Sequence, residues 1–151
     1  RTKVACEQVV AESGLPWTTL RATQFHYLVA GMFRAQRRLP VLVLPRGVRF
    51  QPVSVRDVAI RLVDLARGEP AGRVDDLGGP EVQPVDELAQ TYLHALGLAR
   101  RVVALPVPGR VGRQLRHGSN LTPEHANGTI TFGQYLREQP WGDRHGVAGA
   151  A

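Results

Sequence analysis

Lys3 is the only lysine in a chain of 151 residues whose other eighteen cations are all arginine. A lone ammonium in such a background is either a remainder of composition or a group kept for its compact charge, and its neighbourhood has to decide. The other chemistry-bearing side chains offer little on their own. Serine occurs only at 13, 54 and 119, and none sits in a Gly-x-Ser-x-Gly elbow, which excludes an ordinary serine hydrolase. Cys6 falls on the apolar stripe of its segment, so a small buried hydrophobe is expected there rather than a nucleophile. His26, His94, His117, His125 and His145 show no pairing at four-residue spacing and no His-Glu-x-x-His, so no metal site is expected. Gly109-Arg110-Val111-Gly112 follows a strand-like run, but Leu115 stands where a third glycine belongs and Pro106 and Pro108 precede it. It is not read as a phosphate-binding loop. Leu77 to Glu81 (LGGPE) is read as a turn.

The elements that must position any site alternate between helix and strand. Cys6, Val9, Val10 and Ser13 recur at helical spacing, closed by Gly14 with Pro16 beyond it. WTTLR, residues 17–21, reads as a short strand. Thr23 is a candidate N-cap for a helix whose apolar face is Phe25, Leu28, Val29, Met32 and Phe33. VLVL at 41–44 reads as a strand, and PVSV at 52–55 leads into a helix start in which Ser54 and Asp57 stand at capping-box spacing. Val55, Val58, Ala59, Leu62 and Leu65 or Ala66 are its expected buried stripe, with Gly68 and Pro70 at its end. RVDDLGG at 73–79 reads as strand and turn, Val85 to Leu96 as a helix, and VVALPVP at 102–108 as a strand. A basic helix follows Gly109, and a short one is expected near Phe132 to Glu138. This alternation predicts an α/β fold with a largely parallel sheet. The division is 1–140 for that domain and 141–151 for a disordered tail.

Composition narrows the partners. The net charge of +6 raises nucleic acid as a ligand. Its distribution argues otherwise: Arg37 and Arg38 follow a helix, Arg100 and Arg101 join a helix to a strand, and Arg110, Arg113 and Arg116 share one helical face with few aromatics beside it. No nucleic acid and no membrane are expected as partners, since no apolar run reaches membrane-spanning length. One cysteine and no secretion signal suit a cytoplasmic protein. A helix that opens at residue 1 with Arg-Thr-Lys reads as cut from a longer segment, so the chain is expected to be a fragment.

Six stretches together resemble one family. They are Lys3 to Glu7 (KVACE), Ser13 to Thr18 (SGLPWT), Leu20 to Phe25 (LRATQF), Phe50 to Ala59 (FQPVSVRDVA), Leu77 to Glu81 (LGGPE) and Glu87-Leu88-Ala89. In this order and spacing they resemble the C-terminal half of an atypical or extended short-chain dehydrogenase/reductase, nearest the NmrA-like NAD(P)-binding proteins. The resemblance implies that residues 1–140 are the C-terminal portion of a Rossmann-like parallel sheet with helices, plus a small substrate-binding subdomain.

The resemblance implies a role for Lys3. In that superfamily a Tyr-x-x-x-Lys pair shares one helix face, the lysine holding the nicotinamide ribose and favouring the phenolate for proton transfer. An arginine's broad planar charge suits that compact position less well. The tyrosine would be the second residue upstream of Arg1, and the glycine-rich phosphate loop would also lie upstream. By the same resemblance Thr23, Gln24 and Phe25 face the nicotinamide end of an NAD(P) cofactor, and His26, Phe50 and Gln51 border the substrate cleft. Read from the residues alone, Thr23 is equally a helix cap, Phe25 a core anchor, His26 a polar first-turn residue and Asp57 a capping group rather than a catalyst. The implied activity is hydride transfer to a small carbonyl or quinone-like substrate. The alternative is a non-catalytic dinucleotide sensor acting through a protein partner. The chain alone, without the phosphate loop, is expected to be inactive.

Overall fold

The computed structural model describes residues 2–139, except the side chains of residues 2, 3 and 111. The expected tail at 141–151 lies outside the described residues. The described residues form six α-helices and six short strands. They run α1 (Thr2–Ala11), β1 (Thr18–Thr19), α2 (His26–Arg34), β2 (Val41–Pro45), β3 (Arg49–Phe50) and α3 (Val55–Arg67). Then come β4 (Gly72–Arg73), β5 (Gln83–Pro84), α4 (Val85–Ala95), β6 (Arg101–Leu105), α5 (Gly109–Arg116) and α6 (Phe132–Glu138). A 3-10 turn at Pro123–His125 precedes α6.

The α/β class is as expected, but the strands do not form one sheet. They make three two-stranded ladders: β1 with β4 and β2 with β6 are parallel, while β3 with β5 is antiparallel. The β1–β4 ladder continues past its named strands. Thr18 pairs with Gly72 and Thr19 with Arg73, but Ala22 pairs with Leu77, so one extra residue bulges on the second strand. Phe25 then bridges in parallel to Val53. Residues 22–26 therefore run between two backbones, donating from Thr23 to Leu77 and from His26 to Val53 while Gln24 accepts from Val53.

The main core lies where α2, α4, α6 and the β2–β6 ladder meet. Phe33, Leu42, Leu44, Leu88 and Leu136 are almost fully buried there. Burial of each side chain contributes about 1.5–3 kcal/mol. A smaller cluster of Val53, Val58 and Leu77, with Leu20 and Phe25 against it, sits under β1.

Several local expectations are corrected. Cys6 is exposed rather than buried, and Val9 on the same helix is 69% exposed. In α3 only Val58 of the expected stripe is buried; Val55 and Leu62 are exposed. Leu28 is exposed too, because α2 turns Val29, Ala30 and Phe33 inward. Periodicity identified the apolar faces but not whether anything in the chain covers them. Ser54 caps α3 through Arg56 N, as an N-cap should. Asp57 does not complete a capping box; its short carboxylate is drawn elsewhere, as described below. The capping box of this molecule is at α6, between Thr131 and Gln134, where the sequence reading placed only a helix.

Candidate functional site

The segment Thr23–His26 leaves the carboxyl end of β1 and enters α2. In open α/β folds that edge is where ligands lie. Thr23 is not the helix cap: α2 begins after Phe25, and Thr23 Oγ1 instead donates to the Gln51 carbonyl and accepts from Gly79 N. Gln24 reaches the other way, its Nε2 donating to Asn120 O at 2.8 Å and its Oε1 accepting from Gln51 N at 3.4 Å.

Gln51 is the centre of this arrangement. Its side chain is fully buried and both of its polar atoms are used in a cross-link between distant loops. Nε2 donates to Gly79 O (2.9 Å) and Thr122 O (3.2 Å), and Oε1 accepts from Thr122 N (2.8 Å). The glycines of LGGPE make room for it. A methyl group on Gly78 would fall 2.3 Å from Gln51 Nε2, and one on Gly79 would fall 1.8 Å from the Pro52 carbonyl oxygen. The turn that the sequence suggested at 77–81 is thus a place of backbone approach, and Gly78 and Thr122 join the site without having been anticipated. A pair of glycines after a strand was the available signal for the first; Thr122 gave none.

Phe25 is half-buried, resting on the Val53 cluster with its ring stacked on the exposed Tyr27 at 5.6 Å. Phe50 is half-buried against the main core. His26 is 2% exposed, stacked on Tyr135 at 5.1 Å, with Nε2 2.9 Å from Ile130 O. Its Nδ1 is buried with no hydrogen-bond partner among the described residues. Burial holds the imidazole below its ordinary pKa; the Ile130 carbonyl and the Asp57 charge oppose that without overcoming it. Asp57, 9% exposed, accepts from Thr129 N (2.9 Å), Thr129 Oγ1 (2.8 Å) and Ile130 N (3.3 Å). Residues 129–130 are therefore strapped between α2 and α3 by His26 on one side and Asp57 on the other.

On the opposite side of β1, α1 is tied down by Glu7, whose carboxylate takes a bidentate grip on Arg21 at 2.6–3.0 Å. The Arg21 hydrogen bonds, first, lower the Glu7 pKa. The pair is partly solvated, so its value lies in orientation more than in stability. Lys3 lies in α1 one turn ahead of Glu7; its side chain is outside the described residues. The structure thus brings Thr23, Gln24, Phe25, His26 and Gln51 together at one edge, while Phe50 turns toward the core. No three His, Cys, Asp or Glu side chains among the described residues could hold a metal ion. No described helix is long and apolar enough to cross a membrane.

No family model and no curated protein matches the sequence. Solved structures do match the fold. The NADPH-dependent quinone oxidoreductase QOR2 of Escherichia coli superposes with a TM-score of 0.68 at 15% identity, over 88% of this chain and 58% of that one. A nucleoside-diphosphate-sugar epimerase of Staphylococcus aureus gives 0.64 at 17% identity, over 89% and 57%. UDP-glucose 4-epimerase of Thermus thermophilus, solved in complex with NAD, gives 0.56 at 19% identity, over 89% and 49%. The chain has an α/β fold that matches part of these Rossmann-like structures. It spans only about half the length of these proteins.

Proposed function

We propose that this chain is the C-terminal portion of an NAD(P)-dependent oxidoreductase of the atypical short-chain type, NmrA-like in kind. The observation that carries the proposal is the parallel course of β1 and β4 ending at Thr23–Phe25, joined to the partial match with structures that use NAD or NADPH. In this reading the cofactor's nicotinamide end lies against Phe25 and the backbone of residues 23–24, rather than against the Thr23 and Gln24 side chains, which are tied to Gln51 and Asn120. Lys3 holds the ribose hydroxyls. The cofactor, when bound, supplies hydride to a small carbonyl or quinone-like substrate in a cleft beside Phe25, while His26, Phe50 and Gln51, turned to the interior, back its wall rather than touch the substrate. The Gln51 lattice keeps the wall of that cleft rigid, which preserves reacting distances.

The apolar faces of α1 and α3 fit the same reading, since a front half of the sheet would cover them. That half would also bring the glycine-rich loop whose amides grip the pyrophosphate. The 151-residue chain alone should therefore show no saturable NAD(P)H fluorescence at micromolar protein, while a polypeptide extended upstream should bind. In the extended protein Lys3→Met should lower turnover about a hundredfold. Tight binding by the short chain, or an upstream sequence without a glycine-rich loop, would sink the proposal.

A second reading is a dinucleotide sensor that does not turn over and acts on a protein partner. What favours it is the engagement of Thr23, Gln24 and Gln51 by backbone groups and of His26 by Ile130. A tyrosine four residues before Lys3 separates the two: its presence supports the enzyme, its absence beside an intact glycine-rich loop the sensor.

A further inference from the structure

The opposite end of α2 carries a different feature. The nine-residue helix runs from His26 to Arg34, a rise of about 12 Å. Here the carboxyl ends of α2 and α4 and the approach to β6 enclose a hollow of about 230 Å³. Its floor is apolar, made by Phe33, Tyr92 and Leu96, with the two rings 5.3 Å apart. Its wall holds three guanidinium groups, Arg34, Arg37 and Arg100, and no carboxylate.

Part of this charge has an internal explanation. Arg100 Nη2 donates to the carbonyls of Gln36, Leu39 and Val41 at 2.7–2.9 Å, closing the turn after α2. Arginines at helix carboxyl ends also oppose the helix dipole. Two observations are left over. Among the described residues Arg100 Nε is buried with no hydrogen-bond partner, and Arg37 makes no ion pair with a described carboxylate. Arg34 and Arg100 also act electrostatically on the Tyr92 phenol, favouring its ionised form against the stronger opposing effect of burial, so their charge reaches the floor.

We infer that this hollow binds a compact organic oxyanion, a carboxylate or phosphate carried on a small apolar body. Guanidinium groups suit such ligands because their paired N–H donors match the oxygens. The apolar floor demands a body as well as a charge. The volume is below the ~300–1,000 Å³ of pockets that take drug-sized ligands, so the body is small. The hollow is built wholly from residues of this chain and does not depend on the proposed cofactor reading.

The test uses the 151-residue chain in a two-dimensional amide NMR titration. The probes are phenyl phosphate and benzoate, with benzyl alcohol as the neutral counterpart and inorganic phosphate as the bare anion. Saturable shifts at Phe33, Tyr92, Leu96 and Arg100 with one of the first two probes, and weaker or no binding of the last two, are expected. Which of the two binds more tightly assigns phosphate or carboxylate. The variant R37Q, on an exposed side chain, should weaken binding about five- to tenfold without altering the free spectrum. Arg37→Lys keeps the charge but removes the paired N–H donors and serves as a second variant if the first disturbs folding; it should weaken binding by a smaller factor. No saturable shift with either organic anion would overturn the inference, as would equal binding of benzyl alcohol or unchanged affinity in both variants. The arginines would then serve only the helix ends.

Discussion

The halves of this molecule treat their apolar residues in opposite ways. Around α2, α4, α6 and the β2–β6 ladder, each helix finds another element to cover its stripe, and Phe33, Leu88 and Leu136 are shut away from water. Around β1, α1 and α3 leave Val4, Val9, Ile60, Leu62 and Val63 exposed, while Val53, Val58 and Leu77 form only a small cluster. The difference teaches that a helical stripe records what a helix packs against in its working state, which need not be present in the chain that carries it. Both regions meet at the Gln51 lattice and the 129–130 strap, made of hydrogen bonds rather than apolar contacts.

Paired truncations test the contrast most directly. Leu88→Ala should lose about 2–5 kcal/mol in chemical denaturation. Leu62→Ala should change stability by no more than about 0.5 kcal/mol. Comparable losses at the two sites would erase the distinction. Next in size is Gly79→Ala, whose methyl has no space beside Pro52 and should cost about 1–3 kcal/mol through forced backbone movement. A neutral result would mean that the 77–79 turn is free to shift and the lattice is loose. Asp57→Ala should cost about 1–2 kcal/mol by stripping the acceptor from Thr129 and Ile130, with faster hydrogen exchange confined to those amides. Exchange that stayed slow there would show the strap to be held by other means.

A smaller effect should follow pH. The folded His26 pKa lies below the ordinary 6.5 because the ring is buried. The unfolded chain therefore binds the proton more readily between the two values. Stability from the neutral ring is complete above about pH 6.5 and falls as pH drops toward the depressed folded value. His26→Phe should flatten that part of the profile. An unchanged slope would place the acid sensitivity on other groups.

Much of the element order was legible because punctuation and period agree. Gly14 and Gly97 adopt positive φ at helix ends, and Ser54 caps α3. The tie of residue 120 to residue 24 and of residue 122 to residue 51 was not, since nothing local in Asn120 or Thr122 signals a partner so far along the chain. Asp57 was misread for the same reason: its spacing from Ser54 suggested a local bond, while three donors from 129–130 compete for it and win. Cys6 and Leu62 were misread in the other direction, because periodicity assumes that a cover exists.

The strap also sets a clock on synthesis. Its bond to His26 spans 104 residues, so at about 5–20 residues per second the ribosome needs roughly 5–20 s after making the imidazole before it can deliver the carbonyl. For that interval the ring has no Ile130 carbonyl to meet, and α2 must wait for most of the chain before its buried imidazole gains that partner.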